Sequence, residues 1–65
     1  MKIYEARAEA KKRWGPLGIV RSHNGIKYVG KLEVMGNKAF KTFYGRGETW
    51  EQAFSDADKK TDKPA

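Results

Sequence analysis

Three groupings in this chain have residue types and spacings that could do chemistry. His23 is the single imidazole; Glu48, Glu51, Asp56 and Asp58 follow one another closely enough to pair carboxylates or collect a cation; and Gly45-Arg46-Gly47 stands just ahead of a helix start, where free backbone N–H groups attract anions. Each reaches a plainer reading first. Acid–base catalysis needs a partnered group in a pocket, and His23 sits next to Asn24-Gly25 with nothing to orient it, as an ordinary loop histidine does. The four carboxylates fall within helical sequence and read as a solvated face. Gly-x-Gly lacks the lysine and the full spacing of a nucleotide loop, so it reads as a strand-to-helix turn, with Arg46 still able to touch a phosphate. With no cysteine and one histidine, thiolate and imidazole metal sites and disulfides are excluded. The expectation is no catalysis, no metal and no cofactor.

What remains is charge. Lys and Arg number 14 against 8 Asp and Glu, for a net charge of +6. The excess is one-sided: residues 1–46 hold eleven basic and three acidic side chains, and residues 47–65 hold three and five. A polyanion is the natural partner of such a field, because neutralising phosphates releases counterions and gives affinity without sequence reading. The plainer reading is that surplus charge keeps a small protein in solution. With 65 residues, one domain is expected, able to bury only about 60% of the surface its unfolded chain exposes. No apolar run approaches about 18 residues and no signal-peptide core is present, which predicts a cytoplasmic protein.

The elements that must position these groups are legible from periodicity. Ile3, Ala6, Ala10 and Trp14 lie close to one helical face, predicting a helix over residues 2–13 that stops at Gly15-Pro16. Leu17 to Arg21 is a short β-rich run, and Asn24-Gly25 predicts a tight hairpin. Residues 26–35 alternate, with Ile26, Tyr28, Leu32 and Val34 on one face and Lys27, Val29, Lys31 and Glu33 on the other. Gly36-Asn37 turns the chain into a third strand over residues 38–44. Thr49 and Gln52 fit a capping box that opens a helix over about 49–60, on which Trp50, Ala53, Phe54 and Ala57 form one stripe. Residues 61–65 read as a polar tail. The predicted fold class is α+β: α-β-β-β-α, a three-stranded antiparallel sheet packed on helices in a single small domain over residues 1–60, since the turns are too short for parallel crossovers.

Over nearly its whole length the chain resembles the double-stranded RNA-binding domain family, whose last helix is entered through Gly-x-Gly-x-Ser-Lys-Lys-x-Ala-Lys-x-x-Ala. Gly45, Gly47, Thr49, Ala53 and Ala57 match that spacing without a gap. The family's helix-start lysines, which contact phosphates across the RNA major groove, correspond here to Trp50, Glu51 and Phe54. The resemblance leaves His23 in the place of a loop histidine that reaches the minor groove, and polar reach on the first helix through Glu5, Glu9, Lys12 and Arg13. Residues 18–60 also resemble the sheet-plus-helix of phage-integrase arm-binding and plant ethylene-response DNA-binding domains. That likeness implies a sheet face on DNA, with Arg21, Lys27, Lys31 and Lys41 toward the nucleic acid and Val29 or Phe43 making apolar contacts.

These readings converge on a non-enzymatic domain that contacts duplex RNA or DNA with a phosphate-tracking surface built from the first helix, the first hairpin and the basic sheet residues: Arg7, Lys11, Lys12, Arg13, Arg21, His23, Lys27, Lys31, Lys41 and Arg46. The competing expectation is a protein-binding adaptor, inhibitor or homodimer anchored by Trp50 and Phe54 if these are exposed; because their stripe includes Ala53 and Ala57, core packing is the first reading of both.

Overall fold

The computed structural model describes residues 1–61, with side chains described through Lys59; most of the expected polar tail lies outside the described residues. Helix α1 spans Ile3–Trp14, a single 3₁₀ turn covers Gly15–Leu17, strands β1, β2 and β3 span Gly18–His23, Ile26–Met35 and Lys38–Gly47, and helix α2 spans Trp50–Thr61. The sheet is antiparallel in the order β1-β2-β3. Among the described residues no helix is long and apolar enough to cross a membrane.

Local chemistry accounts for the element ends. The Lys2 backbone N–H donates to the Glu5 carboxylate at 2.7 Å, satisfying one free donor at the start of α1. At α2 the Gln52 N–H donates to Thr49 Oγ1 at 3.1 Å, and the Gln52 side-chain oxygen accepts from the Glu48 N–H at 2.9 Å. This is the expected reciprocal cap, reaching back one residue further than a standard box. Asn24 and Gly25 both take positive φ, 51° and 79°, as a two-residue hairpin turn requires.

Both helices lie on the same side of the sheet, α1 over β1 and α2 over β3 and β2. They approach closely because the strands beneath them lack side chains at the crossings. A Cβ at Gly18 would overlap the Ala10 carbonyl oxygen; one at Gly45 would overlap the Ala53 carbonyl oxygen and stand 2.8 Å from Ala57 Cα. The core under the helices is Ala6, Ala10, Val29, Trp50, Ala53, Phe54 and Ala57, with Trp14, Val20 and Tyr44 packed against it. Trp14 ties the two helices to the sheet: its ring lies 5.3 Å from Tyr44 on β3 and 6.1 Å from Phe54 on α2, nearly parallel to the latter. Burial first, and then the Glu33 carboxylate that accepts from its hydroxyl at 3.5 Å, raise the Tyr44 pKa above its ordinary value. Replacing Trp14 by Ala is expected to cost about 3 kcal/mol, a large share of the roughly 3–10 kcal/mol available to a domain of this size; a denaturant titration followed by circular dichroism checks it.

Two expectations are corrected. Gly45-Arg46-Gly47 is strand rather than turn, pairing with Val29, Tyr28 and Lys27; the glycines serve the crossing of α2 over β3. Ile3, expected on the packed face of α1, is 44% exposed, since the helix contacts the sheet through Ala6 and Ala10 nearer its middle.

Candidate nucleic-acid interface

Cross-strand partners point to the same side of a sheet, so the pairing register states which residues share each face. Val29 is fully buried under the helices. Its partners Val20 and Gly45 therefore face the helices too, and so do Lys27, Lys31 and Glu33, two and four residues away along β2. The opposite face carries Ile19, Arg21 and His23 on β1, Ile26, Tyr28, Gly30, Leu32 and Val34 on β2, and Lys41, Phe43 and Arg46 on β3. No helix covers it.

At the centre of this open face the Tyr28 and Phe43 rings meet, 5.6 Å apart and tilted by 52°. Tyr28 pairs with Arg21 on one side and Arg46 on the other, so one row across the sheet reads arginine, tyrosine, arginine. His23 stands at the hairpin end of the same face, its Nε2 lying 3.2 Å from the Asn24 side-chain nitrogen. Lys41 lies further along β3. Arg21, His23, Lys41 and Arg46 are exposed, and none forms an ion pair among the described residues. Glu33 lies on the helix face of the sheet, Glu5 and Glu9 on α1, Glu51, Asp56 and Asp58 on α2, and Glu48 between β3 and α2. Among the described residues the strand positions of the open face carry three permanent cations and no carboxylate; Glu48 and Gln52 border the face at its α2 edge, in a hollow they share with Ile26, Tyr28 and Arg46.

Arg46 reaches this face through a β-bulge. The two-residue turn at Gly36-Asn37 pairs Met35 with Lys38 and, continued without interruption, would pair Lys27 with Arg46 and turn its guanidinium toward the helices. The register instead shifts at Val29/Gly30, so Val29 pairs with Gly45 and Tyr28 with Arg46, leaving Tyr44 as the extra residue. The Arg46 backbone N–H donates to the Asp56 carboxylate at 3.1 Å, tying this end of β3 to α2. Gly30, opposite Phe43, permits the close approach: a Cβ there would overlap the Thr42 carbonyl oxygen and lie 2.6 Å from Phe43 Cα.

Among known proteins, no family model, no curated protein and no solved structure matches this chain.

Several residues expected at the interface lie elsewhere. Lys27 and Lys31 share the helix face with Val29; the Lys27 ammonium sits 5.7 Å from the centre of the Trp50 ring, and Val29, fully buried, cannot contact a ligand. Arg13 is held between the helices by Glu9 at 2.7 Å and by Asp58, and its guanidinium lies over the Phe54 ring. Partial burial alone would lower its pKa, but the hydrogen bonds and charges of Glu9 and Asp58 outweigh that and raise it; a cation so paired has little charge left for a phosphate. Arg7, Lys11 and Lys12 are exposed on α1. At about 100° per residue Lys11 and Lys12 lie away from Ala6 and Ala10 and Arg7 lies on the flank of that stripe, and since α1 packs on the helix face of the sheet all three are on the far side from Arg21 and Arg46. The single surface expected from helix, hairpin and strands is therefore two surfaces, because both helices cover the same side.

Trp50 and Phe54 are 5% and 4% exposed and belong to the core. They cannot anchor a protein partner from there. The residue overlooked in the sequence is Tyr28. The signal was present in Asn24-Gly25: a two-residue hairpin sets His23 opposite Ile26 and hence Arg21 opposite Tyr28, two positions further along each strand.

Proposed function

We propose that this chain is a small non-enzymatic nucleic-acid-binding domain whose ligand lies on the open face of the sheet. The observation that carries this reading is the segregation of charge by face: Arg21, Lys41 and Arg46, with His23, surround an aromatic pair, and among the described residues no carboxylate stands on the same strand face, Glu48 bordering it only at the α2 edge. Phosphates would find cations not already neutralised by neighbours, in contrast to Arg13, and the rings offer contact area to bases. The element order is the one the resemblance to double-stranded RNA-binding domains implies. The helix start, however, presents Trp50, Glu51 and Phe54 in place of lysines, and the first two residues of α2 are an indole in the core and a carboxylate. The sheet rather than the helix start is therefore the surface assigned to the ligand.

The test is a fluorescence-anisotropy titration of labelled RNA and DNA, single-stranded and duplex, at several salt concentrations. Binding should weaken log–log linearly with salt, by roughly 0.7 to 0.9 in slope for each phosphate contacted. Absence of binding to every one of these ligands at low salt would reject the proposal.

A further inference from the structure

We infer that the open face takes an unpaired nucleic-acid strand, seating two neighbouring bases on the Tyr28–Phe43 pair and reading neither their sequence nor their sugar. This rests on the nucleic-acid reading above and specifies the form of the ligand. Two concavities adjoin the aromatic pair and share both rings as lining. One, of about 250 Å³, is completed by Arg21 and His23 on the β1 side; the other, of about 270 Å³, is completed by Gly45 and Arg46 toward β3. Each therefore combines the same aromatic floor with one exposed guanidinium. A strand crossing from β1 to β3 would set a base in each hollow and pass its phosphates by Arg21 and Arg46, which sit on either side of Tyr28 at about 4.8 Å per strand spacing.

A duplex uses this arrangement poorly. Paired bases are stacked on one another and present only their edges in a groove, so the ring faces of Tyr28 and Phe43 would meet no base face. An unpaired strand offers π-faces of every base, and stacking on aromatic rings beside a cationic track is the sequence-tolerant mode of single-strand binding. Distinguishing ribose from deoxyribose would require groups placed on the 2′-hydroxyl. The polar side chains lining the two hollows are the two arginines, His23 and the tyrosine hydroxyl; with both guanidiniums on phosphates, His23 and the Tyr28 hydroxyl alone remain within the hollows to bond a 2′-hydroxyl, so oligouridylate and oligothymidylate should bind with similar affinity.

The experiment compares labelled oligothymidylate and oligouridylate of about ten nucleotides, within the usual single-strand site sizes, with a DNA duplex and an RNA duplex of similar charge. The expected result is affinity for the two single strands equal within about threefold and at least about tenfold above either duplex. Tyr28→Leu and Phe43→Leu should each weaken single-strand binding about tenfold or more with the salt slope unchanged, while Tyr28→Phe and Phe43→Tyr retain it, because the ring and not the hydroxyl does the stacking. Should a leucine variant fold poorly, the wild-type chain supplies the second measurement: added oligothymidylate should shift the ring protons of Tyr28 and Phe43 and move the thymine protons upfield. Duplex binding equal to or tighter than single-strand binding, or rings that remain unshifted in the complex, would overturn this inference and leave the nucleic-acid reading standing. A single strand bound more than tenfold better with one sugar than with the other would overturn the claim that the sugar is not read. No binding to any of the four would remove both.

Discussion

Gly45→Val should abolish the folded state. The glycine lies where α2 crosses β3, and even a single Cβ would overlap the Ala53 carbonyl oxygen and the Ala57 nitrogen while standing 2.8 Å from Ala57 Cα. These are backbone atoms of a helix, so relief requires α2 to move away from the sheet. Overpacking of a well-packed core costs about 1–3 kcal/mol and at times more, and lifting α2 also exposes Trp50, Ala53, Phe54 and Ala57, which supply most of the core. Against a total of roughly 3–10 kcal/mol, the variant should show no cooperative thermal transition and collapsed amide dispersion at 25 °C. Gly36→Ala is the control: a Cβ there meets nothing within 4 Å, although φ is +65°, so its cost should be only about 1–2 kcal/mol with the native spectrum kept. A native-like Gly45→Val spectrum would show that α2 does not rest on β3 as described.

Removing both guanidiniums beside Tyr28, in Arg21→Ala/Arg46→Ala, should produce the largest loss of nucleic-acid binding. Each is exposed, on the open face and without an ion-pair partner among the described residues, so its charge is available in full. A hydrogen bond to a charged group contributes about 1.5–3 kcal/mol, so the pair should weaken binding by two orders of magnitude or more at low salt. The log–log salt slope should fall by about 1.4 on a single strand, two contacts at roughly 0.7 each. Lys27→Ala/Lys31→Ala removes the same formal charge from the helix face and should leave the slope nearly unchanged, as should Lys12→Ala on the outer side of α1. Because nonspecific attraction responds to total charge alone, equal effects from the two double variants would refute the assignment of the ligand to the open face. A larger effect from Lys12→Ala would move the site to α1.

How much of this was legible in the residues differs from element to element. Strand β2 could be bounded to the residue from its alternation and its two flanking turns, and α2 could be started from Thr49 and Gln52, because capping and tight turns are satisfied within a few neighbouring residues. The choice of buried face could not be made the same way. On β2 the set Ile26, Tyr28, Leu32 and Val34 is more apolar than Lys27, Val29, Lys31 and Glu33, yet the second set faces the helices. The reason lies on the neighbouring strands: Gly18, Gly45 and Gly47 share the Val29 face, and only there can helix backbones come close. Lysine stems and the Glu33–Tyr44 pair fill the margins of that layer, as long amphipathic side chains can.

Neighbouring residues alone fixed the order α-β-β-β-α, the two hairpin registers next to their turns and the apolar stripe of α2, since each depends on residues close together in the chain. Tertiary packing alone decided which sheet face stays open and that Arg46 belongs to it. The bulge at Tyr44 sets Gly45 beneath α2 and, by shifting the remaining pairs one residue, carries Arg46 across to the face of Tyr28. An uninterrupted ladder would have left that guanidinium under the helix, because side chains alternate at every step along a strand.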